Sequence, residues 1–130
     1  MFSISEEDLT ISCTRGDVGT FGVGATVGKG ENKSRYVFRS GDVVRFTVCE
    51  KKNYSNVVLQ KNFNAIEGSE TVEIHLTGED TKFGGIISKP VDYWYEIELN
   101  PDTNPQTIIG HNDDGAKVFK LFPEGGAVSE

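Results

Sequence analysis

From Val91 to Leu99 the chain alternates without a break. Val91, Tyr93, Tyr95, Ile97 and Leu99 share one face of an extended segment; Asp92, Trp94, Glu96 and Glu98 share the other. A period of two over this length marks a strand buried on one side only. Tyrosine, valine and isoleucine are also the residue types that fit a pleated, half-buried surface. The three carboxylates put water on the outer face. Trp94 stands among them, as the edge of a core or the anchor of a contact.

The same alternation recurs along the chain. Leu9, Ile11 and Cys13 alternate with Thr10, Ser12 and Thr14. Thr20 to Val27 points Phe21, Val23, Ala25 and Val27 inward and carries Gly22 and Gly24 on the outer side. Glycine weakens a strand unless a bulge is needed or something approaches the backbone closely. Val43 to Lys51 places Val44, Phe46 and Val48 on the core face, with Arg45, Thr47 and Cys49 opposite, the last near the surface. Asn56 to Phe63 turns Val57, Leu59 and Phe63 to one face, and Thr71 to Leu76 buries Val72, Ile74 and Leu76. Short strands at Thr107–Ile109 and Lys117–Phe122 complete the pattern. His111-Asn112-Asp113-Asp114-Gly115 reads as a hairpin turn, because Asp-Gly supplies positive φ angles. Thr77-Gly78-Glu79-Asp80 has the spacing of a helix N-cap followed by an acid, so Gly78 to Phe83 is expected to form a single helical turn.

About eight short strands with turn signals between them predict an all-β antiparallel fold, a sandwich in preference to a barrel. The whole chain, residues 1–130, reads as one domain. Residues 1–8 form a polar lead-in and residues 124–130 a loose tail.

A net charge of −7 works against a nucleic-acid partner, since phosphate binding requires clustered Lys and Arg. No apolar run approaches the roughly 20 residues of a membrane-spanning helix, so no membrane is expected. Met1 to Thr10 lacks the apolar segment of a signal peptide and carries Glu6, Glu7 and Asp8. Two cysteines do not make a disulfide framework; two free thiols and synthesis in a reducing compartment are expected.

No catalytic constellation stands out, and no cofactor is expected. Gly24-Ala25-Thr26-Val27-Gly28-Lys29-Gly30 superficially looks like a phosphate-binding loop, but it is one residue short between the glycines. It also has Gly30 where a magnesium-binding Ser or Thr should stand. Arg15-Gly16-Asp17 matches a cell-adhesion tripeptide, yet it follows a strand where a turn needs Gly and Asp. His75 and His111 have no Cys or His at metal spacing. Asp102, Asp113 and Asp114 lack the regular spacing of a dedicated calcium loop. The stronger signals concern contact: Trp94 between Asp92 and Glu96, and the outward Gly22 and Gly24. These five are the candidate interface or ligand residues.

Several segments together resemble the N-terminal domain of phage baseplate upper proteins and related prophage tail proteins. Ile11-Ser12-Cys13-Thr14-Arg15-Gly16-Asp17 followed by Phe21 is similar to that family's opening. Gly41-Asp42-Val43-Val44-Arg45-Phe46-Thr47-Val48 is similar to its "GD, then apolar-x-F-x-V" strand. Glu79-Asp80-Thr81, Tyr93-Trp94-Tyr95-Glu96-Ile97 and Thr107-Ile108-Ile109 resemble its later segments, so the likeness runs from Leu9 to Pro123. Glu96 departs from the pattern, where Asp is expected, as does Pro90-Val91, where a glycine commonly precedes the aromatics. The resemblance implies an immunoglobulin-like sandwich in the virion tail, non-enzymatic and assembled in the bacterial host cytoplasm. It would form homo-oligomers and contact other phage tail proteins. Two other classes remain open from the residues alone: a carbohydrate-binding or adhesin module built on Trp94, and a hydrolase using paired carboxylates.

Overall fold

The computed structural model describes residues 2–5, 7–27, 31, 33–110 and 116–124. Within them the chain runs β1 (Ser3–Ile4), β2 (Ile11–Thr14), β3 (Gly19–Val23), β4 (Thr26–Val27), β5 (Ser34–Arg35), β6 (Val43–Cys49) and β7 (Val57–Asn64). It continues through β8 (Val72–Leu76), a 3-10 turn at Asp80–Lys82, β9 (Val91–Leu99), β10 (Gln106–Ile109) and β11 (Lys117–Phe122). The fold is all-β. A large sheet has the order β1-β2-β11-β9-β6-β7, with β10 also on β9, and a two-stranded sheet β3-β8 provides the second layer. A separate hairpin joins β4 to β5. With β7-β6-β9-β11 in one layer and β3-β8 in the other, the connectivity is that of an immunoglobulin-like sandwich.

One pairing departs from the antiparallel expectation. β2 runs parallel to β11, with Ile11 opposite Phe119 and Thr14 opposite Phe122. A parallel pair needs a long crossover, and here nearly the whole domain serves as one. The expected hairpin between β10 and β11 also does not form among the described residues. Both strands lie antiparallel on the same edge of β9, with Gln106 opposite Leu99 and Leu121 opposite Val91. They act as two halves of one interrupted strand. The turn proposed at His111–Gly115 lies outside the described residues; β9 reaches its hairpin partner β10 through the turn Asn100–Pro105.

The core sits between the two sheets and is organised by aromatic rings. Phe46 is fully buried. It meets Phe21 of the small sheet edge-on at 6.0 Å between centroids, and Tyr95 and Phe119 of its own sheet at 5.6 and 6.3 Å. Phe2 stacks on Phe21 at 5.8 Å, so the polar lead-in contributes a core ring and, with Ser3 opposite Ser12, a short edge strand.

The expected strand Thr20–Val27 ends at Val23. A Cβ on Gly24 would lie 2.7 Å from the Arg35 guanidinium and 3.0 Å from the Glu70 carbonyl, so the chain passes there without a side chain. Beyond it the backbone changes direction and Val27, expected inward, is exposed. Val57 is exposed too. A register shift between Val48 and Cys49 displaces it from the face where Leu59 and Phe63 are partly buried.

The helical turn is shorter than expected but capped as the sequence indicated. Asp80 N–H donates to Thr77 Oγ1 at 3.1 Å, and Thr77 N–H donates to Asp80 Oδ2 at 2.9 Å. That reciprocal pair satisfies two otherwise orphaned donors, and Lys61 Nζ closes it from β7 at 2.6 Å. The Arg15-Gly16-Asp17 turn is clamped onto the same element. Gly16, at φ +93°, donates its N–H to Thr81 Oγ1 at 3.0 Å, and the Thr81 hydroxyl donates to the Asp17 carbonyl at 2.8 Å. Arg15 is held by Glu124 and by the Lys82 carbonyl. Its role is that of a turn.

Candidate functional site

The five residues singled out above do not form one site. Asp92, Trp94 and Glu96 lie on the outer face of β9 in the large sheet, whereas Gly22 is on β3 in the opposite layer, paired with Glu73. A Cβ on Gly22 would meet nothing within 4 Å, so that surface is open. Its outward neighbours are Thr20 and His75, joined by a 2.8 Å hydrogen bond. Gly24 lies beneath Arg35 and is a packing position.

The outer face of the large sheet is built in rows. Register places Cys49, Trp94 and Val118 side by side, and Gln60, Thr47 and Glu96 in the next row. Arg45, opposite Glu98, forms an ion pair with Asp102 at 2.8 Å, and Asp92 lies 3.7 Å from Lys120. The face is drier than alternation alone predicts. Thr47 and Cys49 are only 3% and 1% exposed, which corrects the near-surface placement of Cys49. Thr47 lies between the longer Gln60 and Glu96, Tyr54 of the β6–β7 loop lies beside Cys49 and Glu96, and Trp94 itself is half-buried. Both cysteines are free. Burial pushes the Cys13 thiol up to about 11, and burial and then Glu96 push Cys49 up as well, so neither is an activated nucleophile.

Glu96 carries the functional tension of this face. Burial first, and the Glu98 carboxylate second, hold its carboxyl above the ordinary glutamate value. A folded-state pKa raised above the unfolded one favours folding fully below the unfolded pKa, and that contribution disappears as pH rises through the folded value. Glu96→Gln is therefore expected to increase stability near neutral pH. It should also flatten the stability profile just above the ordinary glutamate range. Urea midpoints at about pH 5 and about pH 7 check this; a lower midpoint for the variant at neutral pH would show that the carboxylate is needed there.

A second feature, missed in the sequence, is a cavity of about 570 Å³ at the end of the sandwich, between the β4 region, Tyr36, Arg39 and the β9–β10 hairpin. Its polar lining includes Thr26, Arg39, Asn104, Gln106 and Thr107, with Tyr36 and Leu99 among the apolar surfaces. A buried carboxylate that does not itself line the cavity ties three of its lining residues together. Asp42 accepts from the Tyr36 hydroxyl at 2.7 Å, from Arg39 N–H at 2.9 Å and from Asn100 Nδ2 at 2.9 Å. Burial alone would raise the Asp42 pKa; the donors from Asn100, Arg39 and Tyr36 outweigh it and hold the carboxyl below its usual value. None of these residues is a sequence neighbour of Trp94. Only the turn signals at Arg39–Asp42 and Asn100–Pro105 could have pointed to them.

Among the described residues no group of three or more His, Cys, Asp or Glu comes together as a metal site. Asp102 is committed to Arg45, while His111, Asp113 and Asp114 lie outside the described residues. In comparisons with known proteins, no family model, no curated protein and no solved structure matches this chain.

Proposed function

We propose that the chain is a non-enzymatic structural module of a phage or prophage tail or baseplate, working by self-association and by contact with other tail proteins. Such a protein would be assembled in the bacterial host cytoplasm and carried in the virion tail. The segment order that resembles the baseplate family supports this reading, as does the immunoglobulin-like fold. The observation that carries it is the outer face of the large sheet. A central row of Cys49, Trp94 and Val118 is rimmed by the Arg45–Asp102 and Asp92–Lys120 ion pairs. A dry centre with an aromatic anchor and a charged rim is the usual anatomy of a protein interface.

Truncating a central tryptophan typically removes 2 kcal/mol or more of association energy. Trp94→Ala is therefore expected to weaken self-association by about 30-fold while the chain still unfolds cooperatively. Sedimentation velocity over a concentration series reads this. A wild-type chain that stays monomeric throughout, or an oligomer indifferent to Trp94→Ala, would contradict the proposal.

A second reading, a carbohydrate-binding or adhesin module, is favoured by one feature: the cavity lined by amides, hydroxyls and the Tyr36 ring. It moves the expected sugar contact away from Trp94, which does not line that cavity. Chemical-shift mapping with a glycan panel tests it, because tryptophan quenching would not report from this end of the sandwich.

A further inference from the structure

We infer that the cavity between β4, Tyr36, Arg39 and the β9–β10 hairpin is a subsite for an acidic saccharide, with the Arg39 guanidinium taking the sugar's carboxylate. The inference rests on the carbohydrate-binding reading and deepens it by naming the ligand's charge and the residue that meets it.

Arginine pairing provides the first argument. The chain has four arginines. Arg15 pairs with Glu124, Arg35 with Glu70 and Arg45 with Asp102. Arg39 lines the cavity and, among the described residues, has no carboxylate partner. Asp42 is close enough to feel its charge, but the carboxylate is filled by Tyr36, the Arg39 backbone N–H and Asn100 rather than by the guanidinium. In a chain of net charge −7 with twenty acids, an exposed guanidinium at a concave site with no carboxylate partner among the described residues is a distinctive arrangement. A planar guanidinium binds a carboxylate through two parallel charge-assisted hydrogen bonds, roughly twice as strong as those it makes to a neutral acceptor.

The rest of the lining carries the saccharide part. The side chains of Thr26, Asn104, Gln106 and Thr107 make no hydrogen bond among the described residues, so their donors and acceptors are available to ring hydroxyls. The Tyr36 ring offers an apolar plane. It is held in place by its own hydroxyl bond to Asp42 and by an edge-on contact with Phe38 at 5.2 Å. Arg39 is anchored in the same way at its backbone, where Asp42 N–H also donates to the Arg39 carbonyl at 3.1 Å. The Tyr36 ring and the Arg39 backbone are thus fixed before binding, while the exposed side chains of Arg39, Thr26, Asn104, Gln106 and Thr107 order on the ligand. About 570 Å³ suits one or two sugar rings and lies in the usual range for small-ligand sites.

The test is a chemical-shift titration of the ¹⁵N-labelled full chain with glucuronic acid and with N-acetylneuraminic acid. Methyl glucoside and acetate serve as the neutral-sugar and bare-anion probes. The acidic sugars are expected to shift the amides of Thr26, Arg39, Asn104, Gln106 and Thr107. Arg39→Gln should weaken them by about tenfold or more, the scale of a lost charge-assisted hydrogen bond, with the rest of the spectrum unchanged. Methyl glucoside binding as tightly as the acids, or binding indifferent to Arg39→Gln, would overturn the acidic assignment while leaving a carbohydrate site. Acetate matching the acidic sugars would reduce the site to an anion pocket and overturn the inference. No shift with any sugar would remove both the inference and the reading beneath it.

Discussion

Asn100→Ala is expected to lower the unfolding free energy by about 3–4 kcal/mol, a large share of the roughly 5–15 kcal/mol that stabilises a typical domain. Asn100 joins two turns that are far apart in the chain. Its Oδ1 accepts from Val43 N–H at 2.8 Å, its Nδ2 donates to Asp42 at 2.9 Å, and its own N–H donates to the Val43 carbonyl at 2.7 Å. Its carbonyl then accepts from Thr103 and Asn104, closing the β9–β10 turn. The residue sits at φ +49°, a conformation that asparagine adopts at less cost than alanine. Alanine would leave one backbone donor and one buried carboxylate oxygen without their partner, at about 1–3 kcal/mol for each group. Asn100→Gly separates the causes, since it relieves the backbone and still removes the amide. Chemical denaturation of both variants checks this. A loss below about 1 kcal/mol for the alanine variant would mean that water replaces the amide at no cost.

Phe46→Ala is expected to cost about 3–5 kcal/mol, the range for removing a large ring from a packed core. The ring is the point where the two sheets meet: Phe21 reaches it from β3, while Tyr95 and Phe119 flank it within the large sheet. No single neighbour can collapse into the space, because each is held by its own strand pairing. Thermal unfolding should fall by roughly 10–20 °C for a domain of this size. Phe46→Leu, which keeps most of the volume, should recover much of the loss. A drop of only a few degrees for the alanine variant would show that the small sheet does not depend on this contact.

How much of this was legible in the sequence follows from the range of each interaction. β9 could be read residue by residue, since burial on one face imposes a period of two that needs no knowledge of its partners. β8, with Val72, Ile74 and Leu76 buried, was legible for the same reason. The Thr77–Asp80 cap was also visible, because both partners lie within one turn. The parallel pairing of β2 with β11 was not, since it joins the two ends of the chain and has no local signature. The turn chemistry of Asp113-Asp114-Gly115 specifies a bend and not which strand takes the returning chain; that segment lies outside the described residues, and β10 and β11 both pair with β9. Cys49 looked exposed because alternation assigns a face and says nothing of a loop residue such as Tyr54 lying beside it.

The candidate site divides along the same line. Trp94, Asp92 and Glu96 could be found because one strand carries all three. The cavity could not, since Thr26, Arg39, Asn104 and Gln106 come together only when the β4–β5 hairpin folds against the end of the β9–β10 hairpin. Gly22 and Gly24 looked alike in sequence, two residues apart. One faces open space and the other lies under an arginine.

The central claim is that Trp94 marks a surface made to be covered by another polypeptide, and it is the only tryptophan in the chain. Its emission can be followed as the protein is diluted from a concentrated stock, with sedimentation recorded on the same samples. The account predicts a red shift on dilution that tracks dissociation of the oligomer. An emission spectrum constant across the whole series, while the oligomer falls apart or never forms, would contradict it.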